Sequence, residues 1–487
     1  MKHVNHTIQK TKRPIKVLQY GEGNFLRGFV DYFIDVANEK GVFNGNIQIV
    51  KPIMYGDLTR FINQDCVYTV LLRGKVNGEV VTDKRIITCI DSAVDPFSDY
   101  DTCATQARNP ELRFIVSNTT EAGIIFDEND EIESTPPSSY PGKLTKFLFD
   151  RFNHFSGAAE KGIIILPTEL IDRNGDTLKN CCLRLSEKWG LQKDFSSWLV
   201  NANTFCNTLV DRITTGYPKD EISDIEKELG YCDYLLVAGE SFALWVIETD
   251  NPNVQSELPL DEIGLPVIFT DNVQPYKERK VRILNGAHTS SVPAAFLSGL
   301  DTVGDMMKDK VLRQFIERIV YDEIAPMVPL SHDEVKSFAD SVMERFENPF
   351  IQHNLLSITL NSVSKFKARV LPTILDTFEE NGSLPPLLNI SFASLIAFYR
   401  FGKLDNNTFT GNRDGNPYEI IDDTSVIDFF VKNQSAKENE LTRLFLSRED
   451  FWGQDLTKIT GLVEAVSNAL ESIQNIGVYE TIKRNLG

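Results

Sequence analysis

The feature that most constrains this chain is the regular exchange, from about residue 15 onwards, between short apolar runs and stretches with helical periodicity. Four runs are rich in β-branched residues and end at glycine, proline or polar turns: residues 15–21 (IKVLQYG), 47–53 (IQIVKPI), 113–118 (RFIVSN) and 162–168 (GIIILPT). Such runs are typical of strands that are buried on both faces of a parallel sheet. The helical stretch 29–41 (FVDYFIDVANEKG) ends in glycine, the residue that most often terminates a helix. The pattern predicts an α/β fold.

The length of the chain, 487 residues, exceeds the roughly 250–300 residues over which one hydrophobic core grows, so two domains are expected. Segment 256–276 is rich in proline and turn residues and is interpreted as the crossing between them. Beyond it, apolar residues recur with helical spacing behind the candidate N-cap Asp455, at Leu456, Ile459, Val463, Val466 and Leu470. We therefore expect an α/β Rossmann-type dinucleotide-binding domain with an antiparallel extension at 1–276, and a mainly α-helical substrate and catalytic domain at 277–487.

Two segments of the first domain depart from the alternating pattern. Residues 66–90 read as strands around Asn77-Gly78, a strong hairpin signal, and predict an antiparallel extension of the sheet. Residues 134–142 (STPPSSYPG) cannot continue a helix or a central strand and predict a loop near the cofactor site.

Composition excludes several classes of partner. The formal net charge of −19 argues against nucleic acid, because clustered lysine and arginine dominate the binding of phosphate backbones. The seven cysteines are scattered and contain no C-x-x-C pair, so neither a disulfide framework nor a zinc site is expected. No run approaches the roughly 18 apolar residues that span a bilayer, and the polar N-terminus lacks the apolar segment of a signal peptide. A cytoplasmic location without a membrane partner is therefore expected.

A glycine-rich turn follows the first apolar strand, with Gly21, Gly23, Asn24, Phe25 and Arg27 before a helical pattern. The order strand, glycine-rich turn, helix suits a dinucleotide pyrophosphate, because glycines let the backbone approach the phosphates.

The usual acidic residue at the end of the second strand, which would bind the adenosine ribose, is replaced by Lys51-Pro52. Lys51 either neutralises a 2′-phosphate or is a solvated strand end, so the choice between NAD and NADP stays open at this position.

The segment YKERKVRILNGAHTSSVPAAF carries the candidate catalytic residues. On a helix, Lys280, Asn285 and His288 fall within an arc of about 140°. Reduction of a carbonyl needs a proton donor for the forming alkoxide and fixed hydrogen bonds to stabilise its charge. We expect Lys280 to be the acid, with a pKa lowered by burial and by the neighbouring cations Lys277, Arg279 and Arg282.

The motifs K-x4-N-x2-H and G-x-G-N-F-x-R together resemble the mannitol dehydrogenase family of long-chain polyol and sugar-acid dehydrogenases. The likeness extends over nearly the whole chain, at residues 21–35, 117–124, 140–148, 165–176, 205–218, 240–248, 279–290 and 355–372. It implies a metal-independent enzyme that uses a nicotinamide cofactor, expected to be NAD.

Carried over by position, the resemblance makes Lys280 the general acid and base, Asn285 an oxyanion donor and His288 a substrate contact. It places Thr120 and Glu121 near the nicotinamide and makes Asp211, in VDRI, a substrate-side acid. Glu169 stands where the mannitol enzymes carry a second polarising Asn. That departure suits the sugar-acid branch and puts a two-Asn oxyanion site in doubt, because an ionised Glu repels an alkoxide unless it is protonated or contacts a hydroxyl.

A sugar-acid substrate carries a carboxylate that some cation must meet. Lys365, Lys367 and Arg369 are candidates, with His353 upstream; on a helix 365 and 369 share a face and 367 points away. A solvated basic face is the alternative interpretation.

The resemblance implies reduction of D-tagaturonate to D-altronate by NADH. Fructuronate or mannitol as substrate, and a nucleotide-sensing regulator without catalysis, remain alternatives. A metal-dependent lyase or isomerase is disfavoured, because the six histidines include no H-x-x-x-H pair. The oligomeric state is left open.

Overall fold

The computed structural model describes residues 1–120 and 122–486. Its internal contacts divide the chain into two compact units. The N-terminal unit comprises Met1–Gly74 and Glu79–Val273, and the C-terminal unit comprises Lys75–Gly78 and Gln274–Gly487. Within the described residues, every helix is too short or too polar to cross a membrane.

The N-terminal unit alternates strands and helices. Its strands are β1 (Lys2–His3), β2 (Ile15–Tyr20), β3 (Asn46–Val50), β4 (Tyr68–Val76), β5 (Glu79–Ile87), β6 (Ile90–Val94), β7 (Phe114–Ser117), β8 (Ile164–Pro167), β9 (Thr204–Phe205), β10 (Asn207–Asp211), β11 (Thr214–Gly216), β12 (Tyr231–Cys232), β13 (Val237–Glu240), β14 (Leu244–Glu248) and β15 (Val267–Thr270). Its helices are α1 (Asn24–Gly28), α2 (Val30–Glu39), α3 (Thr59–Asn63), α4 (Tyr100–Thr105), α5 (Tyr140–His154), α6 (Asn174–Lys188), α7 (Lys193–Asn201), α8 (Ile222–Leu229) and α9 (Pro252–Glu257).

A six-stranded parallel sheet, in the order β6-β3-β2-β7-β8-β9, forms the centre of this unit. The four apolar runs became its strands β3, β2, β7 and β8, which confirms the predicted α/β fold. Alternate residues of β8 and its approach pack into two different hydrophobic cores, one on each face of the sheet. Ile164 and Leu166 pack in the core that contains Phe33 of α2, and Ile163 and Ile165 pack in the core that contains residues of α5–α7. Burial on both faces explains why these runs are continuously apolar.

The hairpin predicted around Asn77-Gly78 is present, with both residues at positive φ (52° and 82°) between β4 and β5. It does not extend the parallel sheet. The two strands lie in a separate four-stranded sheet of order β11-β13-β4-β5, in which Val237 of β13 pairs with Val70. That pairing joins segments far apart in sequence, so the local pattern did not reveal it.

Two other boundaries differ from expectation. Residues 140–142 are not loop but the first turn of α5, where Ser139 accepts a hydrogen bond from the Gly142 amide and Pro141 is tolerated because its position needs no N–H donor. The segment 256–276 contains β15, which pairs with β14 in a three-stranded sheet with β10.

The C-terminal unit is mainly helical, as predicted. Its helices are α10 (Gln274–Arg279), α11 (Gly286–Leu297), α12 (Val303–Lys308), α13 (Lys310–Arg318), α14 (His332–Phe346), α15 (Leu355–Ile358), α16 (Ser362–Arg369), α17 (Leu371–Asn381), α18 (Pro386–Tyr399), α19 (Thr424–Lys432), α20 (Glu438–Leu446), α21 (Glu449–Trp452), α22 (Leu462–Ile476) and α23 (Val478–Asn485), with π-helical turns at Lys280–Asn285 and Ile319–Ile324. A small antiparallel sheet, which the sequence did not predict, is formed by β16 (Lys403–Asp405), β17 (Thr408–Arg413) and β18 (Asn416–Ile420).

The helix expected behind Asp455 begins later than predicted. Asp455 caps a short 3-10 turn by accepting from the Thr457 amide, Gly461 then takes a positive φ of 81°, and α22 starts at Leu462. The centre of this unit is α18, which is buried along nearly its whole length and contacts α11 and α22. All seven cysteines are free, and all but Cys232 are buried.

Candidate active site

The glycine-rich turn lies between β2 and α1, as predicted. Gly21 has a φ of +135°, and a Cβ on it would lie 2.9 Å from Leu26 Cδ1 and 3.2 Å from the Asn118 carbonyl oxygen. The turn therefore packs directly against the end of β7, and only glycine fits there. Gly23 is exposed, and a Cβ on it would meet no atom within 4 Å. The backbone at Gly23 is thus open to a bound group, which suits a dinucleotide phosphate.

Arg27 braces the turn from within. Its buried guanidinium donates to the backbone oxygens of Leu235 and Glu22 and, at 2.7 Å, to Asn24 Oδ1. Asn24 itself is exposed, whereas the half-buried Phe25 stacks on Phe29 with ring centres 4.9 Å apart. A cofactor contact by these side chains remains a prediction; the observed role of Arg27 is to hold residues 22–24 in place.

The carboxyl ends of β7 and β8 supply the next group. Thr120 is exposed and has a φ of +79°, a strained value for a β-branched residue and one that clusters at functional sites. Asn118 donates to the Thr168 carbonyl oxygen at 3.1 Å and to its hydroxyl at 3.0 Å. The predicted nicotinamide contact Glu121 lies outside the described residues.

Glu169 is buried, and both of its carboxylate oxygens accept hydrogen bonds. Oε1 accepts from the Thr119 amide and hydroxyl, both at 2.9 Å, and Oε2 accepts from the Ser117 hydroxyl at 3.1 Å. Burial raises the pKa of Glu169, and the hydrogen bonds from Thr119 and Ser117 oppose that rise. The carboxyl group is therefore fixed to the end of β7. Asp211 is the buried last residue of β10, paired with Leu244 of β14.

Lys51 is not the solvated strand end that was one of the two alternatives expected for it, and the other, a contact with a 2′-phosphate, stays untested. Its side chain is 3% exposed, so it is not a solvated strand end, and its Nζ forms an ion pair with Asp95 Oδ2 at 2.5 Å, so its charge is balanced within the protein. Sequence reasoning missed Asp95, which follows the neighbouring strand β6.

In the C-terminal unit, the candidate catalytic segment is a continuous helix that changes type. The α-helix α10 passes into a π-helical turn at Lys280–Asn285, which leads directly into α11. The expected arc assumed α-helical geometry throughout, whereas a π-helix closes its hydrogen bonds between residues five apart. Lys280 and Asn285 are five apart, so the π-turn brings them nearer to one face than an α-helix would. Such turns are frequent at functional sites.

His288 lies on the first turn of α11. Its ring stacks on Phe346 with centres 4.2 Å apart and meets the His353 ring edge-on at 5.9 Å. Burial, followed by the nearby charges of His353, Arg345 and Arg369, lowers the pKa of His288 to about 3. Its Nε2 is buried and, among the described residues, has no hydrogen-bond partner. A neutral imidazole with one unpaired nitrogen is suited to bonding a substrate hydroxyl.

The three cations expected on α16 have different surroundings. Arg369 is half-buried, lies 3.4 Å from the Thr289 hydroxyl and, among the described residues, forms no ion pair with a carboxylate. Lys365 donates to the Ile358 carbonyl at 3.0 Å. Lys367 points elsewhere, since a Cβ on Gly453 would lie 3.5 Å from its Nζ.

Sequence reasoning missed Arg345, on α14, whose charge lowers the pKa of both His288 and His353 after burial has done so. No signal in the sequence connects α14 with α11. The positive charge expected from Arg282, in contrast, is balanced by Asp376 at 2.5 Å.

Comparisons with known proteins show the family to which the chain belongs. Residues 15–261 match the mannitol dehydrogenase Rossmann domain, and residues 272–474 match the mannitol dehydrogenase C-terminal domain. The fold and these two matches define the class as a Rossmann-type oxidoreductase with a helical second domain. The chain belongs to the mannitol dehydrogenase family.

Among curated relatives, the altronate oxidoreductases of Escherichia coli strains K12 and O7:K1 are each 45% identical over 477 residues, which cover 96% of either chain. Among solved structures, a D-sorbitol dehydrogenase in substrate-free form aligns with a TM-score of 0.78 at 19% identity, over 96% of this chain and 95% of that one. The Pseudomonas fluorescens mannitol 2-dehydrogenase, solved with NAD and D-mannitol, aligns with a TM-score of 0.66 at 21% identity, over 98% and 95%. At these identities the structural likeness shows the fold.

Proposed function

We propose that this chain catalyses the reversible, NAD-dependent interconversion of D-tagaturonate and D-altronate in hexuronate catabolism. The name of its 45% identical relatives supports this assignment. The structural observation that best supports a sugar-acid substrate concerns Arg369. Its half-buried guanidinium lies beside the turn that carries His288 and has no carboxylate partner among the described residues. An unbalanced, partly desolvated guanidinium suits an anionic ligand.

The dinucleotide belongs, in this proposal, to residues 1–276, and the substrate chemistry mainly to residues 277–487. The open backbone at Gly23 and the strained Thr120 lie at the carboxyl ends of the parallel strands, where open α/β sheets bind their ligands. These residues fit NAD, which when bound supplies or accepts the hydride.

Proton transfer falls to Lys280. During reduction its ammonium gives a proton to the substrate oxygen as that oxygen becomes an alkoxide, and during oxidation the neutral amine takes the proton back. Asn285, one π-turn away, donates a hydrogen bond to the same oxygen. His288 stays neutral over the working pH range, because its pKa lies at about 3, and it orients a neighbouring hydroxyl without contributing a charge.

In this scheme Glu169 is a hydrogen-bond acceptor whose carboxylate is held in a fixed position. Its three hydrogen bonds hold the strand end after β7 and direct its oxygens to Thr119 and Ser117. Because its carboxylate accepts these hydrogen bonds, its negative charge is partly compensated by Ser117 and Thr119. Asp211 is proposed as a substrate-side acid.

Substrate profiling tests the proposal. Purified protein is assayed with altronate and tagaturonate, with mannonate and fructuronate, and with mannitol and fructose, following the nicotinamide absorbance. We expect altronate and tagaturonate to give the highest kcat/KM. A higher value for mannitol or fructose would refute the sugar-acid assignment, and binding of NADH without turnover of any of these compounds would favour the nucleotide-sensing alternative.

A further inference from the structure

The carboxyl end of β3 is the position at which Rossmann-type proteins distinguish NAD from NADP. Lys51 occupies it here, and a lysine at this point would ordinarily suggest a ligand for a 2′-phosphate. The Lys51 amide donates to the Val94 carbonyl at 3.0 Å, which joins the end of β3 to the end of β6 and brings Lys51 beside Asp95.

Three oxygen atoms of the protein engage the Lys51 ammonium. It pairs with Asp95 Oδ2 at 2.5 Å and donates hydrogen bonds to the carbonyl oxygens of Gly56 at 3.0 Å and Met54 at 3.3 Å. Because the side chain is 3% exposed, a phosphate would have to compete with these partners, which carries a desolvation cost.

Acidic side chains near Lys51 disfavour the additional 2′-phosphate that distinguishes NADP from NAD. The other carboxylate oxygen of Asp95, Oδ1, accepts a hydrogen bond from the Phe97 amide at 3.0 Å, and the side chain is 27% exposed. Burial raises the pKa of Glu22, on the glycine-rich turn, and the charges of both Lys51 and Asp95 act on it. Asp57 also feels the charge of Lys51, after hydrogen bonds from Thr59 lower its pKa. Asp95 is therefore the acid in contact with the ammonium, whereas Glu22 and Asp57 interact with it through charge alone.

Two further cations lie in this region. Lys143 is buried, donates to the Ser138 carbonyl at 2.7 Å and sits 5.3 Å from the centre of the Phe97 ring, so its ammonium is turned inward. Arg60 is exposed on α3, where its charge acts on Asp57. Of these two, Arg60 is the one accessible to a ligand, so Arg60→Gln tests whether it binds the 2′-phosphate.

The bonds from Lys51 also hold the loop that follows β3. This loop exposes three consecutive apolar side chains: Ile53 (56%), Met54 (66%) and Tyr55 (80%). Their exposure beside the turn that receives the dinucleotide suits the flat, apolar faces of an adenine ring.

We propose that Lys51 is a positioning residue, which fixes this loop for the adenosine of NAD, and that the Asp95 carboxylate it holds excludes the 2′-phosphate of NADP. The inference rests on the proposed function, since it assumes that the chain binds a nicotinamide dinucleotide.

Binding titrations of the full chain test this inference without relying on turnover. Quenching of tryptophan fluorescence by NADH and by NADPH gives a Kd for each. The wild type should bind NADH at least about tenfold more tightly than NADPH, because like charges at a binding site are strongly unfavourable. Asp95→Asn keeps the acceptor for Phe97, removes the charge and frees Lys51, so the NADPH Kd should fall about tenfold while the NADH Kd changes less than about threefold.

Asp57→Asn is the matched control, since it removes the same charge from the loop after β3, which Lys51 holds, without touching the Lys51–Asp95 pair; the ratio of the two Kd values should change less than about twofold. Lys51→Met should weaken NADH binding, because it releases the loop after β3, with its thermal melt recorded to detect unfolding; NADH binding equal to that of the wild type would refute the positioning role of Lys51. A selective loss of NADPH in Arg60→Gln would show that a cation receives the 2′-phosphate and would overturn the inference. If the wild type binds neither dinucleotide, the proposed function fails; if it binds NADH but Asp95→Asn leaves the ratio unchanged, only the inference fails.

Discussion

Replacement of Arg369 by glutamine tests whether this guanidinium binds the substrate carboxylate. The side chain is half-buried and lies 3.4 Å from the Thr289 hydroxyl, and among the described residues no acid depends on it for charge balance. Its removal should therefore leave the fold intact.

The size of the effect follows from the bond that would be lost. A hydrogen bond between a guanidinium and a carboxylate contributes about 1.5–3 kcal/mol. Since 1.4 kcal/mol corresponds to a factor of ten, kcat/KM for altronate should fall about 10- to 100-fold. The carboxylate does not react, so its binding energy is shared by ground state and transition state, and the loss should appear mainly in KM.

Steady-state kinetics with altronate and NAD provide the assay. Lys367→Gln is the matched control, because it removes the same charge from the same helix on the side that faces Gly453, and it should change KM less than about twofold. Mannitol, which has no carboxylate, supplies a second control, because any residual oxidation of it should be unaffected in Arg369→Gln. An unchanged KM for altronate, or an equal loss with mannitol, would refute the assignment of Arg369.

Three other predictions concern the catalytic lysine, the glycine-rich turn and the buried histidine. Lys280→Ala should lower kcat by about 10²–10⁴ while NADH still binds in fluorescence titrations, because proton transfer by a positioned group contributes that much; near-normal turnover would remove Lys280 from the mechanism. Gly21→Ala should lower the free energy of unfolding by about 1–3 kcal/mol, because its φ of +135° and its contact with Asn118 exclude a Cβ, whereas Gly23→Ala should melt like the wild type; equal melting of the two variants would contradict this. Because the pKa of His288 is lowered to about 3, the stability it contributes is complete above pH 6.5 and is lost as the pH falls towards 3. Between pH 7 and pH 5, the free energy of unfolding should therefore fall by about 2 kcal/mol more in the wild type than in His288→Gln, as measured by denaturant titration. An identical fall in the two proteins would contradict the assigned burial.

Local sequence patterns were sufficient for the elements whose burial is set by the chain itself. The runs that became β2, β3, β7 and β8 are apolar at consecutive positions, and only a strand covered on both faces can bury such a run. The turn at Asn77-Gly78 was equally readable, because few residue pairs accept positive φ at both positions.

The sequence patterns gave wrong predictions for strands that pair with segments distant in the sequence. The hairpin was assigned to the parallel sheet, whereas β4 pairs with β13, and the small sheet β16–β18 was not predicted. Strand pairing is set by side chains and backbone groups of both strands, and only one of them lies in any local window. The early start expected for α22 failed for a smaller reason, since Gly461 at positive φ interrupts an otherwise helical series.

The same distinction applies to the candidate site. The motif at Lys280–Asn285 and His288, together with the resemblance of the flanking segments to the mannitol dehydrogenase family, predicted without any structure that proton transfer and polarisation of a carbonyl were the expected chemistry. Tertiary structure alone decided the surroundings of these residues: the charge of Arg345 beside His288 and, within residues 1–120 and 122–486, an Nε2 of His288 without a hydrogen-bond partner and an Arg369 without an ion-paired acid. Lys51 shows the reason most plainly. Its identity is in the sequence, but whether its charge meets a ligand depends on Asp95, which a different strand brings to within 2.5 Å.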